Sequence, residues 1–285
     1  MNRLKEMAEK GISPSSVNQY IRNPTAFFDQ RVLGIQEMES LEESPEAATF
    51  GTIVHEVLEV LYTPFVGKYL TEQELESKRK EIPQTIQEVF SKHYPSEAYK
   101  TGKNQIVFEV IKHNTDQFIR GEIKELQKGH KIKIIALEQK ISKTCFFDEL
   151  NHSIRFSGIV DRIDKRDEVV RIIDYKTGEV KAHDLAMMNM ENSTSDEKYS
   201  KALQVLLYGM MWQSQSNYQH SFEAGVVSFK NLSSGFLRFG IKEKPRSLPK
   251  DYGISLKLIN VFEINLKQLL LEIFNPTIPF IEKQS

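Results

Sequence analysis

Cysteine is almost absent. Cys145 is the only one in 285 residues, so the chain can form no internal disulfide and no cysteine-built zinc or iron-sulfur site. The expected place for that thiol is a core position beside Phe146 and Phe147. Long apolar runs are missing too. No stretch approaches the roughly 20 residues that span a bilayer, and the opening MNRLKEMAEKG has no apolar centre of the kind a secretory signal needs; both point to a cytoplasmic protein without membrane contact. No Walker-type phosphate loop is found, which excludes a P-loop ATPase motor, and no internal repeat. Excess charge of either sign is lacking: 38 Lys and Arg against 39 Asp and Glu leave a net charge of -1, so a nucleic-acid partner has to be met by a local basic patch. Basic residues are dense from Lys124 to Lys143 and around Arg155, Arg162, Lys165, Arg166 and Arg171. The length and mixed composition suit one elaborated globular domain.

What the chain does have is the stretch Phe156 to Thr177, FSGIVDRIDKRDEVVRIIDYKT, which reads as two apolar strands joined by a charged turn. Pairing Asp164 with Val169 across Lys165 to Glu168 puts Asp161 opposite Ile172, and the side-chain period of two then gathers Asp161, Asp174 and Lys176 on one face. Asp164 falls on the other. In this register Arg162 and Arg171 face each other, which is unfavourable unless they splay or hold an anion, and they become candidate contacts to a phosphate backbone. Two neighbouring carboxylates repel each other unless a cation lies between them, and hard divalent ions prefer carboxylate oxygen. A lysine two residues after the second carboxylate adds a fixed positive charge, and the set suits metal-assisted hydrolysis of a phosphodiester. A lone D-x-K is often only a solvated strand face. Here apolar residues precede both carboxylates, in Gly158-Ile-Val-Asp161 and Arg171-Ile-Ile-Asp174, which implies a buried sheet.

The remaining segments are arranged around this hairpin. Ser13-Pro14-Ser15-Ser16 has the form of a helix start, with the helix running to Asn23. An acidic linker, Glu37 to Glu46, precedes a helix over Ala47 to Tyr62 that carries Ile53, Val54, Val57, Leu58 and Leu61 on its apolar side and His55 on the other. Thr71 to about Gly129 is helical and charged, broken at Tyr94 to Gly102, and reads as a helical insertion at about 71–129 in a single domain. Lys131 to Ser142 is a strand containing Glu138, which is either a further metal or supporting carboxylate or an edge-facing glutamate. Glu179 to Lys198 is polar with little periodicity and is expected to be a mobile loop beside the active face. The helix Tyr199 to Ser214 sets Lys201, Gln204 and Tyr208 along one stripe and Leu203, Leu206, Leu207 and Met210 along another. Strands at Phe222 to Lys230 and Gly235 to Ile241 and a helix at Ile259 to Phe274 complete the chain.

Four elements occur in one order: F-G-T-x-x-H at Phe50 to His55, G-x-x-D-R-x-D at Gly158 to Asp164, D-Y-K-T at Asp174 to Thr177, and Q-x-x-x-Y at Gln204 to Tyr208. Together they resemble the PD-(D/E)xK nucleases, and within them the RecB- and AddB-like nuclease domains of bacterial recombination helicase-nucleases. The resemblance implies an α/β fold with a restriction-endonuclease-like core, a mixed central β-sheet flanked by helices, and a metal-dependent DNA nuclease, expected to be an exonuclease in the family's usual role in recombination and repair. It further implies that His55, Asp161 and Asp174 with the Tyr175 carbonyl hold Mg²⁺ or Mn²⁺. Lys176 would act on the attacking water, and Gln204 and Tyr208 would orient the DNA. A helicase or ATPase module is the implied partner, in the same polypeptide or as a separate subunit. Many relatives carry a cysteine before the proline of a C-P-x-x-F element; this chain has Asn23 before Pro24, so the resemblance does not extend to an iron-sulfur cluster. The alternative is a non-catalytic DNA-binding or scaffolding domain that retains the nuclease fold, supported by the near-neutral charge. A phosphohydrolase of small substrates is a third reading, which a narrow enclosed pocket would favour.

Overall fold

The computed structural model describes residues 2–35, 47–94, 98–191 and 193–281; the acidic linker lies outside the described residues. Its strands are β1 (Ile132–Phe147), β2 (His152–Arg166), β3 (Val169–Lys176), β4 (Ala186–Met187), β5 (Glu223–Ser228), β6 (Phe236–Arg238) and β7 (Gly240–Ile241). Five of them form a mixed sheet in the order β1-β2-β3-β5-β6, antiparallel throughout except for the parallel pair β3 and β5. The central strand β3, VVRIIDYK, is nearly continuous in apolar residues because both its faces are covered. Ile172 points into one core and Ile173 into the other.

Helices α1 (Asn2–Lys10), α2 (Pro14–Arg22), α3 (Pro24–Phe27), α7 (Ser200–Ser216) and α8 (Leu256–Ile273) cover the first face; α4 (Ala47–Tyr62), α5 (Glu72–His93) and α6 (Gly102–Gln127) cover the second. Helix α2 starts as its sequence dictates, with the Ser13 hydroxyl accepting from Ser16 N–H at 3.2 Å and Pro14 in the first turn. In α4 the five expected apolar positions are all buried, each worth about 1.5–3 kcal/mol relative to exposure. That burial fixes the helix's rotation and leaves His55 turned toward the end of β3. No helix among the described residues is long and apolar enough to cross a membrane.

Two expectations change here. The segment after β3 is not a free polar loop: a short 3₁₀ turn (Ala182–Leu185) and β4 bury Val180, Leu185, Met187 and Met190, and β4 pairs with β7. Tight turns break helical and strand periodicity alike, so its apolar anchors made no pattern. Cys145 is only half-buried, and its neighbour Phe146 is exposed while Phe147 is buried, as strand alternation demands. Where a cluster cysteine would stand, Asn23 caps α3 by accepting from Ala26 N–H at 2.9 Å. Tyr20, Phe27 and Phe28 there pack on Phe280, with ring centroids 5.0–6.0 Å apart.

Candidate active site

The site lies where β2 and β3 part. Their ladder runs from Arg166↔Val169 to Arg162↔Ile173, so only Asp167 and Glu168 make the turn, with Asp167 in the left-handed region at φ +54°. This is two residues from the expected register, because a two-residue turn matches strand twist better than a four-residue one even without glycine. A shift of two preserves the faces, so Asp161, Asp174 and Lys176 still share one. Beyond the fork, the freed edge of β2 is taken by Ile12, which exchanges backbone bonds with Arg155 and Ser157 at 2.8 and 3.1 Å.

At the fork itself, backbone groups of β3 turn to side chains. Tyr175 N–H donates to Asp161 Oδ2 at 2.5 Å. The Tyr175 carbonyl accepts from His55 Nε2 at 3.1 Å, which leaves Nδ1 facing Asp161 Oδ1 at 3.4 Å and Glu138 Oε1 at 4.0 Å. One ligand atom from each of His55, Glu138 and Asp161 lies within 4.8 Å of the other two. Glu138 reaches this point because its backbone adopts φ +43°, a strained value for a non-glycine residue inside a strand and one that gathers at functional sites.

Asp174 stands beside this group, buried and tied elsewhere. Its Oδ1 accepts from Lys176 Nζ at 3.1 Å and from Gln204 Nε2 at 3.0 Å, while Nζ lies 2.9 Å from Oδ2. Gln204 also donates to the Tyr208 hydroxyl at 3.2 Å. Helix α7 comes this close because β2 has Gly158 below it: a Cβ there would sit 2.9 Å from Tyr208 Cε1.

The charges of the site are out of balance. Burial, with Asp161 close by, pushes the Glu138 carboxyl up to about 7, against the pull of His55. Burial likewise raises Asp174 to about 6, with Lys176 opposing and Asp161 adding. Burial would lower the His55 imidazole, yet its bond to Asp161 and the charges of Asp161, Glu138 and Asp174 carry it upward. Carboxylates held above their usual range beside an imidazole fit a hard or borderline divalent cation, which would restore the balance.

A family model for the PD-(D/E)XK nuclease superfamily matches residues 11–285. The chain belongs to this superfamily. One subunit of the ATP-dependent helicase/deoxyribonuclease of Streptococcus uberis is 29% identical over 59% of the chain and 14% of its own length. An uncharacterized Rickettsia bellii protein is 23% identical over 91% of the chain and 29% of its own length. The chain therefore spans less than a third of the length of these curated relatives. A Eubacterium rectale crystal structure named as an exonuclease candidate aligns at TM-score 0.44 and 11% identity, covering 94% of this chain and 82% of that one.

Within the superfamily's D-x-K element, Asp174 and Lys176 come together with His55, Asp161, Gln204 and Tyr208 at the fork. Arg162 and Arg171 do not, and their reading as DNA contacts is corrected. Arg162 is fully buried on the reverse face, its Nη2 at 2.7 Å from Glu122 Oε1 and 2.6 Å from Asp164 Oδ2, with its guanidinium 5.1 Å over the Tyr62 ring. Arg171 faces Asp164, not Arg162, and grips it through two bonds of 2.7 and 2.9 Å. The sequence leaves Glu138 open, since alternation along a strand carries no sign of a residue with positive φ.

Proposed function

We propose that this chain is a Mg²⁺- or Mn²⁺-dependent DNA nuclease, an exonuclease that hydrolyses phosphodiester bonds within a helicase-nuclease system of recombination or repair. The convergence of His55, Glu138 and Asp161 beside the Asp174–Lys176 pair carries this reading. Those three residues, with Asp174 and the Tyr175 carbonyl, would hold the cation, which when bound supplies Lewis-acid stabilisation of a charged phosphate. The chain's own residues divide the remaining work. The Lys176 ammonium, fixed by Asp174, holds the attacking water or the negative charge that grows on the phosphate oxygens. Gln204 donates to both Asp174 and Tyr208, and this linked set orients the strand.

The superfamily membership and the helicase/deoxyribonuclease names of the streptococcal relatives support DNA as substrate and a helicase as partner. We read the whole chain as one nuclease domain in which α5 and α6 are an insertion. Labelled linear and covalently closed circular DNA, incubated with Mg²⁺, Mn²⁺ or chelator, tests the assignment. Loss of linear DNA with either metal, sparing of the circle, and no loss in chelator are expected. Failure to cut either DNA with any divalent metal overturns it in favour of a scaffold, and cutting of the circle replaces exonuclease with endonuclease action.

A further inference from the structure

The fork is one end of a longer surface. In the β1–β2 ladder beyond Glu138 and Asp161 the pairs Lys140↔Ile159, Ser142↔Ser157 and Thr144↔Arg155 follow one another at steps of two, so these six side chains share one face, about 7 Å apart per step. The intervening residues Ile141, Ile154, Phe156 and Val160 are buried in the core. On the shared face Lys140, Thr144 and Arg155 are exposed, and so is the apolar Ile159, at 44%.

A cavity of about 630 Å³ opens over this ladder, walled by Lys10, Ser13 and Ser15 from the junction of α1 and α2. Gln204 and Tyr208, the α7 side chains that connect to Asp174, line it too, so the cavity adjoins the fork through these two residues. Lys10, Lys140 and Arg155 also line it, and among the described residues none of the three is held by a carboxylate; Arg155 only touches Ser142 Oγ at 3.5 Å. A second cavity, of about 840 Å³ on the reverse face, shows the contrast. Its five arginines, Arg120, Arg162, Arg166, Arg171 and Arg238, are each already paired with an acid, and its two lysines without a carboxylate partner among the described residues, Lys124 and Lys230, line a cavity that none of the fork side chains reaches. Three uncompensated cations along one groove that ends at a phosphodiester-cleaving site attract a polyanion.

We propose that this groove is the track of a single DNA strand, with Lys10, Lys140 and Arg155 each neutralising a phosphate and Ile159 supporting a sugar or base. The spacing of the ladder suits a stretched backbone, and a cavity of this size holds a strand one or two nucleotides deep. The inference rests on the nuclease reading above and adds to it where the substrate lies.

The test uses the whole chain in an Asp161→Asn background, which prevents cleavage. Anisotropy of a labelled single-stranded oligonucleotide is followed against salt for that parent and for the added triple change Lys10→Ala, Lys140→Ala, Arg155→Ala. A control triple, Lys244→Ala, Lys250→Ala, Lys257→Ala, removes the same charge from exposed positions outside the groove. Each phosphate contact to a single strand contributes about 0.7 to the slope of log affinity against log salt, so the groove triple should flatten that slope by about two. The control should leave it unchanged. An unchanged slope in the groove triple, or equal flattening in the control, overturns the track. Wild-type cleavage of DNA together with either of those results sinks the track alone; absence of cleavage by the wild type sinks the nuclease reading itself.

Discussion

The two faces of the β2–β3 hairpin carry the same kinds of residue and use them in opposite ways. On the reverse face Asp164 is clasped by Arg162 and Arg171, and Glu122 of α6 takes Arg162 and the Tyr62 hydroxyl. Burial works against the Asp164 charge, yet the two guanidiniums hold its carboxyl below the usual carboxylate range. On the front face Asp161, Glu138 and Asp174 share one lysine and one imidazole, and both Glu138 and Asp174 are pushed upward. One heptapeptide, GIVDRID, feeds both faces through the period of two. A buried charge network that closes on itself is structural; one whose carboxylates outnumber their cations is the kind a divalent ion would complete.

The sharpest way to break the comparison is to neutralise each side of the front face separately. Asp161→Asn should abolish magnesium heat in calorimetry and reduce DNA cleavage by about 10³-fold or more, while the fold survives. Lys176→Ala should lose cleavage on the same scale but keep its magnesium titration. Equal metal affinity in the two variants would erase the division of labour. Opening the reverse face should do the converse: Arg162→Ala leaves Glu122 buried without its cation and Asp164 with Arg171 alone, and should cost about 3–5 kcal/mol in urea unfolding. A loss no larger than that of Asp161→Asn would show that the two faces do not differ as described.

The last test is on pH. Glu138 and Asp174 go from unfolded values of 4.5 and 3.8 to about 7 and about 6, so folding takes up protons between those limits and stability falls as pH rises through them. His55, also raised, has the same sign. Thermal midpoints in chelator should therefore decline across this window, and Mg²⁺ should flatten the decline. A Glu138→Gln variant that keeps the full slope would remove Glu138 from the account.

The faces were legible in the sequence because they depend only on alternation, which a two-residue register shift leaves intact. Helix α4 was legible for a similar reason, since Ile53, Val54, Val57, Leu58 and Leu61 define its buried side and so the direction of His55. Arg162 was misread because its partner Glu122 lies 40 residues upstream on α6, a distance at which local charge density says nothing about pairing. Glu138 could not be assigned because its placement depends on one backbone angle. The anchored segment after β3 escaped because Met187 and Met190 are buried by tertiary contacts that no period announces.

The aromatic cluster of Tyr20, Phe27, Phe28 and Phe280 joins residues from the first and last parts of the described chain. A fastening made of rings is indifferent to oxidants, chelators and iron supply. Its thermal behaviour is also its own: ring burial is driven by water and carries a large heat-capacity change, so such a joint weakens toward low temperature. The two segments should be held together less firmly in the cold than at room temperature.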